Sequence, residues 1–194
     1  PSVCTISGST VTFVGIGTCT INANQAGNSS YSAATQVVQT FSVAAKALTI
    51  TAVVSPTSIA FGGTTPTNSF TAPAIVSPDV VGSLIYTYTN NGGTTYNSTT
   101  APTAVGNYFV TPSAASFSTG SAVTYTISYV AGSLSIGLAS QSIVITSTPT
   151  TPTYGGSYSL TSTGGGSPNP VVYTSATPSV CTISGSTVTF VGIG

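Results

Sequence analysis

Few side chains in this 194-residue sequence can do covalent or acid–base chemistry: Cys4, Cys19, Cys181, Lys46 and Asp79. The sequence has no His, and Lys46 and Asp79 are its single lysine or arginine and its single carboxylate side chain. Ser/His, Cys/His and paired-carboxylate mechanisms each need a base or a second acid that is missing, so the chain is not expected to be an enzyme. Calcium and zinc cages lack their ligands for the same reason, and no metal or cofactor is expected. Gly164-Gly165-Gly166 does not open a helix, so it reads as a turn rather than a phosphate cradle. Charged residues make up 1% of the chain, against about a quarter in an ordinary domain, and the net charge is +0. Without a basic stripe, nucleic acid is excluded as a partner.

Cysteine chemistry survives these exclusions, and its meaning depends on a repeat. Pro1–Gly17 reads PSVCTISGSTVTFVGIG, and Pro178–Gly194 reads the same letter for letter, an offset of 177 residues. Such an offset reads as a window on a tandem array, with neither end of the sequence expected to be a natural one. Cys181 is then the repeat of Cys4, its partner is expected beyond Gly194, and the odd count of 3 cysteines follows from the window. Cys4 and Cys19 both fall on inward positions of expected strands. In a flat meander they would sit two strand spacings apart, roughly 9 to 10 Å, which exceeds the roughly 4.4 to 6.8 Å Cα separation of a disulfide. A bridge therefore requires the third strand to cross to an opposite sheet, and would stabilise the fold by about 3 kcal/mol in the chain-entropy model. The alternative is two buried thiols packing as small hydrophobes. An oxidised pair implies an extracellular or cell-surface location.

Lys46 and Asp79 allow one further crosslink, an isopeptide bond from Lys46 to an asparagine, assisted by Asp79. Against it, Lys46 lies at a junction between strands, where a solvated role is ordinary, and Asp79 follows Ser77-Pro78 in an expected turn. The sequons Asn28-Ser29-Ser30 and Asn97-Ser98-Thr99 can accept glycans at Asn28 and Asn97, or can be plain turn chemistry.

The elements that must position these residues read as strands throughout. Apolar residues recur at spacing two and are interrupted by Gly, Pro, Asn and Ser clusters every eight to twelve residues or so, the pattern of an all-β sandwich. Cys4 and Ile6, Val11 and Phe13, and Cys19 and Ile21 are expected to face inward, with Thr5, Thr12 and Thr20 outward. Further strands are expected at 36–43, 48–54, 83–89, 107–111, 123–130, 133–136, 142–146, 157–161 and 171–174. Hydrophobic residues reach 40% and mean hydropathy is +0.43. Yet the longest apolar runs are broken by Gly and Ser and fall short of the roughly 20 residues of a spanning helix, so the chain is expected not to span a membrane.

Two junctions, at 43–48 and 135–141, divide the period into two alternating modules. Residues 1–45 form the C-terminal half of one module type, 46–139 a complete module of another, and 140–194 the N-terminal half of the next copy of the first. Short connections make the array a semi-rigid rod.

The run from PTYGGSYSLTSTGGGSPNPVVYTSATPSVCTISGSTVTFVGIG, continued by TCTINANQAGNSSYSAATQVVQTFSV at 18–43, resembles a bacterial Ig-like repeat domain of very large cell-surface proteins. The segment from KALTITAVV through GNYFVTPSAA to YTISYVAGSLSI is similar to the MBG-type β-sandwich of bacterial adhesins. These resemblances imply tandem Ig-like β-sandwiches, and a structural repeat unit of an extracellular filament, fibre or stalk whose partners are neighbouring repeats. The alternative is an adhesin module in which the Tyr-bearing span 86–96 grips a glycan or another cell surface.

Overall fold

A computed structural model of the protein describes residues 3–91 and 96–194. It is all-β: among these residues the one helical element is a 3-10 turn, Ala122–Thr124. The chain divides into two compact units, residues 1–138 and 139–194.

The first unit begins with two ribbons. Strands β1 (Cys4–Ser7) and β2 (Thr10–Phe13) form an antiparallel hairpin, and β3 (Gly17–Ala23) and β4 (Val37–Val43) form a second, separate antiparallel pair. A two-residue loop, Gly8-Ser9, closes the hairpin, and its first position carries φ +59°, which glycine adopts without strain.

Beyond Ala44 and Ala45 the chain continues as β5 (Lys46–Ser55), β6 (Ser58–Ala60), β7 (Thr67–Thr71), β8 (Val80–Val81), β9 (Ile85–Asn90), β10 (Asn97–Ser98), β11 (Gly106–Ser113) and β12 (Phe117–Thr119). After the 3-10 turn come β13 (Tyr125–Val130) and β14 (Gly132–Gly137). These form a five-stranded sheet, β10-β9-β11-β14-β6, a three-stranded sheet, β13-β5-β7, and a short β12-β8 pair. Two pairings are parallel, β13 with β5 and β14 with β6.

Strand β5 shows why this region packs. Leu48, Ile50, Ala52 and Val54 alternate with Thr49, Thr51 and Val53, and the first set is buried. Leu48 and Ile50 join Val81 and Tyr125 in one core cluster, while Val54 joins Tyr88, Tyr108, Val110, Leu134 and Ile136 in another. One strand thus packs the three-stranded sheet against the five-stranded one.

The second unit is sparser. Strands β15 (Val144–Ile145) and β17 (Ser162–Thr163) pair antiparallel, and β16 (Ser157–Ser159), β18 (Cys181–Ser184) and β19 (Thr187–Phe190) form a sheet ordered β16-β19-β18. Leu160 and Val188 are its buried apolar side chains.

Three expectations need correction. Residues 171–174 lie in no sheet; Val171, Val172 and Tyr173 instead line an open groove, with Val172 exposed. Val123 belongs to the 3-10 turn rather than to β13, because Thr124 N–H and Oγ1 both donate to Ser121 O (3.2 and 2.7 Å) and tighten the chain there. Ile6 and Phe13, expected inward, are 51% and 58% exposed. Among the described residues their hairpin is tied to the β3–β4 ribbon by the Cys4–Cys19 bond, and Phe13 touches that ribbon edge-on through Phe41, with ring centroids 5.8 Å apart.

Candidate functional site

Cys4 and Cys19 are joined by a disulfide with a Cα separation of 5.8 Å. Cys4 lies on β1 and Cys19 on β3, so the bond ties the first ribbon to the second across two sheets. Both half-cystines are buried, at 7% and 1% exposure. Cys181 carries a free thiol, partly exposed, with Ser175 Oγ 3.3 Å from its sulfur. A disulfide fits a non-reducing environment.

The repeated segment folds twice in the same way. β1 and β2 pair Cys4 with Phe13, Thr5 with Thr12, Ile6 with Val11 and Ser7 with Thr10. β18 and β19 pair Cys181 with Phe190, Thr182 with Thr189, Ile183 with Val188 and Ser184 with Thr187. The turn glycines match as well, Gly8 at φ +59° and Gly185 at φ +58°.

What surrounds the two hairpins differs. Among the described residues β2 pairs with β1 alone, leaving its other edge open. The equivalent edge of β19 is closed by β16, and Phe190 stacks on Tyr158 at 5.9 Å. Conversely, β1 and β3 together line an open hollow of about 450 Å³ beside their disulfide, formed by Val3–Ile6 and Thr18–Thr20. In the second unit the cysteine face of β18, Cys181 and Ile183, opens onto a groove of about 460 Å³ lined by Ile143, Ile145, Leu160 and Val172.

The two lone charges are not paired with each other: among the described residues there is no hydrogen bond between Lys46 and Asp79. Lys46 is exposed at the start of β5. The Tyr125 hydroxyl donates to Asp79 Oδ2 at 2.7 Å and itself accepts from Val76 N–H at 3.0 Å. Gly120, at φ +87°, brings its backbone so close to the Asp79 carboxylate that an added Cβ would collide with it. Burial pushes the Tyr125 phenol above its ordinary value of 10.0; the hydrogen bond to Asp79 and its charge add to that, while Val76 N–H acts against it. Asp79 thus anchors a buried tyrosine that stacks on Phe117 at 5.4 Å, a contact absent from the motif reading because only the fold brings 79 and 125 together.

Asn28 caps a tight turn, its Oδ1 accepting from Ser30 N–H (2.8 Å) and Tyr31 N–H (3.0 Å). Asn97 is exposed on β10 opposite Thr89. Of the tyrosine span 86–96, residues 92–95 lie outside the described residues. Tyr88 is buried and its oxygen accepts from Asn68 Nδ2 at 2.7 Å; Tyr96 donates to Thr100 O at 2.7 Å and packs edge-on against Tyr108 at 5.8 Å. These rings are occupied within the fold. Among the described residues no group of three or more His, Cys, Asp or Glu could hold a metal ion, and no helix is long and apolar enough to cross a membrane.

Comparison with protein families, with characterised proteins and with solved structures finds no match to this chain.

Proposed function

We propose that the chain is a structural repeat unit of an extracellular bacterial filament, fibre or stalk built from tandem Ig-like domains. One observation carries this reading. A seventeen-residue segment, repeated at an offset of 177, takes the same hairpin register in two places, each time with a different half of its surroundings. In the first place the hairpin has a disulfide-tied ribbon and an open edge; in the second it has a closed edge and an open cysteine face. These complementary surroundings support reading the two parts as the halves of one module type, in keeping with the resemblance to Ig-like repeats. The near absence of charge supports a spacer as well, since packing between such surfaces depends little on salt.

The test is a chain of two full periods. Cys181 should then bond to the second copy of Cys19, and the particle seen by small-angle scattering should lengthen by a fixed increment for each period added. A free Cys181 in the two-period chain, or a length that does not grow with period number, would sink the reading. An adhesive role predicts binding on a glycan array instead.

A further inference from the structure

We infer that strand β13 is a docking edge for a second copy of this chain, residues 126–130 of the two copies pairing antiparallel across a two-fold axis at Ser128. This goes beyond the repeat-unit reading and does not depend on it.

The two larger sheets of residues 46–137 end in four edge strands, and these are not alike. The five-stranded sheet ends in β10 and β6, of two and three residues, which are too short to template a partner. The three-stranded sheet ends in β7 and β13. Strand β7 runs between Pro66 and Pro73 and carries Asn68 and Ser69, residues that suit a strand poorly. Strand β13 has none of these guards. It is six residues of regular strand, Tyr-Thr-Ile-Ser-Tyr-Val, without proline or charge and without a bulge in its register with β5. Lys46, the sole cation, stands opposite Tyr125 at the start of the strand, and Tyr125 N–H already donates to Ala122 O. That leaves 126–130 to pair, and among the described residues no further strand lies beside them. Their outward backbone groups meet only water until another strand arrives.

A second copy fits because the edge is complementary to itself. Side chains alternate along a strand, so an antiparallel ladder keeps inner residues on the inner side only in alternate registers. Centred on Ser128, the ladder sets Ile127 opposite Tyr129 of the second copy on the inner face, and Thr126 opposite Val130 of the second copy on the outer one. Ile127 and Tyr129 are half-buried and pack against the cluster of Leu48 and Ile50, so the pairing carries that apolar layer across the joint. Val130, 45% exposed, gains cover from a threonine. Ser128 meets its own equivalent, and no charge is taken out of water. The product is one six-stranded sheet with β7 at both ends. A two-fold axis closes the pair, so growth stops at two chains. In an array of repeats the same contact recurs with each period and adds along its length.

The experiment uses the full chain with its free thiol alkylated, followed by sedimentation velocity and amide exchange over a concentration series. The expected result is a monomer–dimer equilibrium that is the same in low and high salt, with exchange at 126–130 slowing as dimer forms and exchange at 67–71 unchanged. Ser128→Lys and Ser128→Glu should each weaken the dimer about tenfold or more, because like charges then face each other, and mixing the two variants should restore it as a mixed pair. Slow exchange at Leu48 and Ile50 checks that both variants remain folded. Thr49→Val removes the 3.1 Å contact between Thr49 Oγ1 and Ser128 Oγ and should leave the dimer as it was. A chain that stays monomeric at every concentration overturns the inference. So does a dimer without protection at 126–130, a dimer that neither charged variant weakens, a mixture no tighter than either variant alone, or protection at 67–71 with open-ended growth.

Discussion

The hairpins at 4–13 and 181–190 share every residue, every cross-strand partner and the turn conformation, yet they are buried differently. Val188 is buried while Val11 is only partly covered, and Cys4 is bonded while Cys181 is free. Strand pairing and turn type are thus set within the seventeen residues, by alternation of Thr with Cys, Ile, Val and Phe and by a glycine at the turn. Burial is not set there. An isolated two-stranded hairpin is marginal in water, and each copy owes its persistence to a different neighbour, a disulfide in one case and a third strand in the other.

The strongest way to break this comparison is to remove the disulfide. Replacing Cys4 and Cys19 together by alanine should cost the first hairpin about 3 kcal/mol, since the bond closes a loop of sequence separation 15. Amide exchange at 5–12 should accelerate sharply, while exchange at 182–189 stays as it was. Equal acceleration at both would show that the staple is not what distinguishes them. Next in size is the paired substitution Val188→Ala and Val11→Ala. The first removes two buried methyl groups and leaves a cavity, at about 2 kcal/mol, and the second should cost less than half as much, read by denaturant unfolding or local exchange. Gly185→Ala and Gly8→Ala should sharpen the likeness instead, each costing about 1 kcal/mol because both glycines hold the same positive φ. A clear inequality between them would mean that context reaches the turn.

Alkali should move neither hairpin. Tyr125 has its phenol raised above 10.0 in the folded protein, so its contribution is fully present below that value and is lost as pH climbs through the raised one. Residues 46–137 should therefore lose stability in strong alkali while exchange at 5–12 and 182–189 shows no matching step. Tyr125→Phe should remove that component of the pH profile.

Periodicity carried most of what could be read before folding. β5 was legible because Leu48, Ile50, Ala52 and Val54 alternate without a break, and Cys4 and Cys19 because both stand at inward positions. β7 was not, since Thr67-Asn68-Ser69-Phe70-Thr71 offers one large apolar side chain and gets its place from pairing with β5. Residues 171–174 misled in the opposite direction: VVYT has the composition of a strand, but pairing depends on a neighbour as well as on propensity. The Asp79–Tyr125 contact left no local trace at all, because 46 residues separate its partners.

The two parallel ladders have a mechanical consequence. The chain enters residues 46–137 through β5 and leaves through β14; β5 runs parallel to β13 over six residue pairs, and β6, which follows β5, runs parallel to β14 over three. Tension applied at Lys46 and Gly137 pulls β6 and β14 in opposite senses along their own axes, across hydrogen bonds such as Ser135 N–H to Thr57 O and Phe61 N–H to Gly137 O, each 2.8 Å. Those bonds are loaded in shear and must give way together rather than one after another like a zip, so a stretched chain would meet its resistance at the parallel pairs β5–β13 and β6–β14.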